Sequence, residues 1–147
     1  MSEKIIELDS KFEELEKLDV KRNELVLKQE KILLELWNEK KEIAEKIKEK
    51  TYYFSHPTIQ YKSLRGPILG YSKKENDLYV FELDKGIRQI DLYSDEVNAS
   101  WWRKIIELGM FEDAYSGLSY LDSMIDDYIL NSQTLIDKLE SQIDKVK

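Results

Sequence analysis

Leu25-Val26-Leu27-Lys28-Gln29-Glu30-Lys31-Ile32-Leu33-Leu34-Glu35-Leu36-Trp37 is the stretch that decides how this chain folds. Its apolar residues recur three and four apart, the helical period, yet they spread beyond a single stripe. With Ile5 taken as heptad position a, the seam extends in both directions. Ile5, Phe12, Val26, Leu33 and Ile47 fall at a, and Leu8, Leu15, Leu36 and Ile43 at d. Asp19 and Lys40 interrupt the a series; Arg22, Gln29 and Lys50 interrupt the d series. Position g adds Leu18, Leu25 and Ile32, position b adds Ile6, Val20, Leu27 and Leu34, and Trp37 and Ala44 fall at e. A helix that is apolar on several faces must be covered on several sides, so a bundle or an oligomer is expected rather than a simple pair. No Gly or Pro interrupts residues 1–50. The pattern therefore predicts one helix over 1–50, about 75 Å long. Glu13 with Lys17, Glu24 with Lys28 and Glu42 with Lys46 add i,i+4 support and read as a solvated face.

After Lys50 the residue types change to Tyr, Phe, Ile and Val, with turn residues at short intervals. Thr58 to Leu64 alternates and reads as a strand, followed by a turn at Arg65-Gly66-Pro67. Ile68–Tyr71, Leu78–Leu83 and Ile87–Tyr93 complete a four-stranded antiparallel meander over 51–93. Asp84-Lys85-Gly86 fits a short hairpin turn with Gly in the left-handed position. An even number of strands returns the chain to where it left, which suits an excursion between antiparallel helices.

Ser94-Asp95-Glu96 is a helix-start signal, predicting a short helix over 94–109 that carries Val97, Trp101, Trp102, Ile105 and Ile106. Gly109 is its stop. A second long helix is expected over 111–147. Phe111, Leu118, Ile125, Leu139 and Val146 lie at d, and Tyr115, Ile129, Ile136 and Ile143 at a. Leu121, Tyr128 and Leu135 at g give it the same broad stripe as the first, so the two helices are expected in one bundle. Gly117 marks either a kink or a close helix crossing. The whole reads as one α+β domain, 1–147.

Charged residues make up 36% of the chain, but the apolar periodicity is too regular for disorder. There is no cysteine, hence no disulfide and no thiolate metal site. No apolar run approaches a membrane span, and Met-Ser-Glu-Lys is not a signal peptide, so a cytoplasmic location and no membrane association are expected. The net charge is −7, most of it after residue 93. Direct nucleic-acid binding is therefore not expected, since that needs clustered Lys and Arg. Instead, the acidic last third could imitate nucleic acid towards a basic groove.

No nucleotide loop, zinc motif or nucleophile elbow is present. The single histidine, His56, precedes Pro57 and reads as an ordinary loop residue. Asp122 and Asp126 would share a helix face, with Asp127 beside them. No Glu-x-x-His accompanies them, so they read as solvated acids. Neither a metal nor a cofactor is expected. What remains is aromatic and basic. Trp101 and Trp102 are adjacent, hence about 100° apart on a helix, so one should be available at an interface, with Arg103 next to it. Arg65, Arg88 and Tyr79 lie in the strand region and form a candidate site for a small anionic ligand.

The layout, a long helix, β-hairpins and a long helix, resembles that of prefoldin-type chaperone subunits, by architecture rather than by motif. The resemblance implies a holdase with apolar helix tips. The residues themselves point first to a non-enzymatic, self-associating protein-interaction module. Its helices would form a homo-oligomer, and Trp101, Trp102 and Arg103 would contact a protein partner. An adaptor or a small inhibitor, including a phage-type antagonist of a host enzyme, has this character. The alternatives are the holdase and an oligomeric binder of a small anionic ligand.

Overall fold

The computed structural model describes residues 2–147. Its first element is α1, Glu3–Glu49, an unbroken helix. The Ser2 side chain caps it by accepting from the Ile5 N–H. It ends where Thr51 turns into the left-handed region at φ 60°. There the Thr51 N–H donates to the Lys48 carbonyl and the Tyr52 N–H to the Ile47 carbonyl, which closes the helix in a Schellman motif.

Four antiparallel strands follow in the order of the chain: β1 Ile68–Ser72, β2 Asp77–Glu82, β3 Gly86–Asp91 and β4 Val97–Ala99. The β2–β3 turn is the expected one, with Gly86 at φ 92°. Side chains alternate between two faces of the sheet. Tyr79, Phe81 and Ile87 face the helices and join the main core with Leu33, Trp37, Ile105 and Leu118. Trp37 stacks on Phe81 at 3.9 Å between ring centroids. Ile68, Leu78 and Val80 face the other way and are covered by Ile59, Tyr61, Ile90 and Leu92.

Two expectations for this region need correction. Thr58–Leu64 is not a strand. It belongs to a strap across the second face of the sheet, closed on itself by an isolated bridge between Phe54 and Ser63 and packed on the sheet through Ile59 and Tyr61. Its alternation records which side chains meet the sheet, not a ladder. Nor does Ser94-Asp95-Glu96 start a helix. Asp95 adopts φ 62° in a turn, and the chain goes on into β4, which supplies the fourth strand instead.

The helix over 94–109 is reduced to α2, Trp102–Glu107. The helix over 111–147 is divided. α3 covers Phe111–Ser119, a 3-10 turn covers Tyr120–Asp122, and α4 runs Met124–Val146 after a break at Ser123. α3 packs on β1 at Gly117, where an added Cβ would lie 2.0 Å from the Ile68 carbonyl oxygen. The close crossing expected at this glycine is therefore with a strand, not a helix.

The second half of the chain runs parallel to α1, not antiparallel. Asn23 meets Arg103 of α2, and Ile32 lies beside Phe111 and Tyr115 of α3. Further along, Lys40 binds Asp122, and Ile43 and Ile47 share a groove with Leu121 and Ile125. α4 then passes Tyr52 and Tyr53 at the far end of α1 and leaves the body, so the two long helices do not pair along their length within one chain. No residue from 3 to 25 is buried, and Met124 is the sole buried residue of α4. Two helical arms thus leave the body at opposite ends of the packed half of α1.

Candidate functional site

The β4–α2 junction carries the first candidate. Trp101 lies just outside α2 in extended conformation, φ −154°, and its side chain is 57% exposed. Trp102 begins the helix and turns inward, 5.8 Å from the Phe81 ring. The two indoles diverge because the chain changes from strand to helix between them, not because of helical phase. Arg103 donates to Glu107 Oε1 at 2.6 Å and to Asn23 Oδ1 at 2.8 Å, tying α2 to α1. Lys104 Nζ lies 5.9 Å from the centres of both the Trp101 and Tyr79 rings and donates to Gln89 Oε1 at 2.7 Å. The corner is therefore an exposed indole on a rigid base, with one guanidinium and one ammonium beside it.

Arg65, Arg88 and Tyr79 do not form one site. Register places Arg88 opposite Val80, on the strap side of the sheet, whereas Tyr79 faces the helices and is 1% exposed. Burial, followed by the charges of Asp77 and Glu75, pushes the Tyr79 hydroxyl up to about 12. Arg65 and Arg88 do converge, but on Glu82, at 3.1 and 3.8 Å, and Lys85 joins them at 3.5 Å. Burial opposes the charge on Glu82. The hydrogen bond from Arg65 and the charges of Arg65, Lys85 and Arg88 outweigh it and hold the carboxyl below its ordinary value. An internal carboxylate thus takes the place assigned to an anionic ligand. Glu82 also forms part of a cleft of about 500 Å³ with Lys48, Lys62 and Arg65. The signal for it was legible: Leu78, Val80 and Glu82 share one strand face, and a charge at an otherwise apolar position needs a partner.

His56 is a structural residue. Its Nδ1 accepts from the Thr58 and Ile59 N–H groups at 3.1 and 3.2 Å, so Nε2 carries the proton and donates to the Asp113 carbonyl at 2.8 Å. This ties the strap to α3. The Ser123 break separates Asp122 from Asp126. Asp122 accepts from Lys40 at 2.6 Å and Asp127 from the Tyr120 hydroxyl at 2.6 Å. Among the described residues, no group of three or more His, Cys, Asp or Glu is placed to hold a metal ion.

The two arms expose large apolar side chains. Ile5, Leu8, Phe12, Leu15, Leu18 and Leu25 form one exposed stripe along the α1 arm. Ile129, Leu135, Ile136, Leu139 and Ile143 do the same on the α4 arm. The α1 stripe runs into a groove of about 540 Å³ between Ile32, Phe111 and Tyr115. No helix among the described residues is long and apolar enough to cross a membrane. No known protein family, characterised protein or solved structure matches this chain.

Proposed function

We propose that this chain is a non-enzymatic, self-associating protein-interaction module, an adaptor or small inhibitor. The observation that carries the reading is the exposed apolar stripe on each of two helical arms, none of whose stripe residues is buried within the chain. A stripe of this length on a free helix is stable in water only when another helix covers it. The arms therefore assemble copies, and the body, rigid where Trp102 and Arg103 lock α2 to α1 and the sheet, presents Trp101 to a protein partner. Light scattering at micromolar concentration should give at least twice 17.5 kDa. The double variant Leu8→Glu/Leu15→Glu should reduce it to one chain without loss of the folded body. A monomeric parent protein at all concentrations would end this reading. For the partner surface, Trp101→Ala should leave the urea midpoint unchanged and weaken binding to a co-purifying protein about tenfold. Trp102→Ala should cost about 3 kcal/mol of stability.

A second reading, a holdase, draws support from Ile6, Val20, Leu27 and Leu34, which lie off the seam and are also exposed. It requires that the assembled protein bind a hydrophobic dye and suppress aggregation of an unfolded client. An adaptor would do neither.

A further inference from the structure

The seam of the α1 arm has two charged positions, Asp19 at a and Arg22 at d. Within one chain they form an ion pair of 3.0 Å on the exposed stripe, between Leu15 and Leu18 on one side and Leu25 on the other. Parallel pairing of two copies stacks a on a and d on d. It would bring Asp19 against Asp19 and Arg22 against Arg22. Antiparallel pairing sets a against d, and its registers differ in what the charges meet. The register that overlaps only the two free arms sets Arg22 against Ile5 and Asp19 against Leu8, burying each charge on an aliphatic residue. A shift by one heptad sets Arg22 against Phe12 and Asp19 against Leu15. A shift by two sets Asp19 against Arg22 in both directions, across a two-fold axis.

We propose that α1 pairs with α1 of a second copy, antiparallel, with Asp19 of each copy against Arg22 of the other. This rests on the self-association proposed above and specifies its geometry. Charge complementarity selects the register, and two further features fit it. The two helices overlap from Ile5 to Leu36, with exposed seam meeting exposed seam around the axis and the outer part of each arm lying along the other copy's body, because Val26 and Leu33 of the seam are buried there. In addition, each arm tip reaches the body of the other copy. Ile5 and Leu8 arrive at the level of Leu36 and Leu33, beside the groove of about 540 Å³ between Ile32, Phe111 and Tyr115. Because Leu33 is fully covered by its own sheet and helices, the incoming arm lies on the Ile32 side and occupies that groove. Leu18 meets Leu25 across the axis, which gives the g positions of the stripe a partner.

The chain has no cysteine, so single Glu7→Cys and Lys21→Cys variants accept one spin label each on the outer face of α1. At 1.5 Å per residue, the proposed register puts labels about 45 Å apart at Glu7 and about 20 Å apart at Lys21. Parallel pairing gives about 20 Å at both, and the arms-only register about 30 Å at both. Either pattern, or any other between associated chains, overturns the register while leaving self-association intact. Monomeric mass with no interchain distance overturns both. As an independent check, Asp19→Arg and Arg22→Asp should each weaken self-association at least about tenfold, and an equimolar mixture of the two should restore it as a heterodimer. Parental affinity in either single variant would overturn the proposed pairing.

Discussion

Gly117 and Glu82 show what single residues decide here. On helix propensity alone, Gly117→Ala should stabilise α3 by about 1 kcal/mol. The Ile68 carbonyl oxygen, 2.0 Å from where the new Cβ would sit, reverses the sign, because both groups are backbone-anchored and neither can yield without moving α3 off β1. The expected loss is about 3 kcal/mol or more, read as a shift in the urea midpoint. Glu82 carries a pH dependence. Its carboxyl titrates lower in the folded protein than the ordinary value, so its contribution is fully present above the unfolded value, near ~4.3. It is lost as pH falls through the folded value, while Arg65, Lys85 and Arg88 stay charged. Glu82→Gln should therefore cost about 1–2 kcal/mol at neutral pH, a figure held down by the exposure of Arg65 and Lys85. The difference between variant and parent should narrow below about pH 4.

At the scale of elements, legibility followed the strength of the local signal. α1 was legible end to end because nothing in it competes with helix, and β2 and β3 because their alternation is bounded by a turn that Gly86 makes at φ 92°. The failures lie where two structures share one pattern. Ser94-Asp95-Glu96 offers the same side chains to a turn as to a helix cap, and the left-handed Asp95 used them for the turn. Heptad phase continues across Ser123, so the break before α4 left no trace in the periodicity. For the candidate sites, the opposite fates of Trp101 and Trp102 were anticipated for a reason that does not hold, since Trp101 is outside the helix. The separation of Tyr79 from Arg88 was readable from strand parity, had the register been known. The end of α1 supplies a prediction at this scale. Thr51 is β-branched, yet it holds the left-handed position of a Schellman motif, a backbone region that L residues enter at a cost of about 1–2 kcal/mol. Thr51→Gly should raise stability by about 0.5–1 kcal/mol after the extra chain entropy of Gly is counted. A loss would show that the hydroxyl of Thr51, which donates to the Lys50 carbonyl at 2.6 Å, holds the turn.

For the whole molecule, the separation of body and arms has a consequence that does not depend on how copies assemble. A compact chain of this length has a radius of gyration of about 15 Å. α1 alone is a rod of about 70 Å, which by itself has a radius of gyration near ~20 Å. The body sits on one half of that rod, and α4 leaves from the end opposite to the free α1 arm, so the mass is spread along one direction. Small-angle scattering of the Leu8→Glu/Leu15→Glu variant, kept dilute so that single chains are observed, should give a radius of gyration above about 20 Å. The far-ultraviolet helical signal should match that of the parent, which separates an extended helical arm from a frayed one. A value near 15 Å would mean that an arm folds back and covers its own stripe on the body. The apolar seam would then be an internal core, and the argument from exposed arms to assembly would fail at its first step.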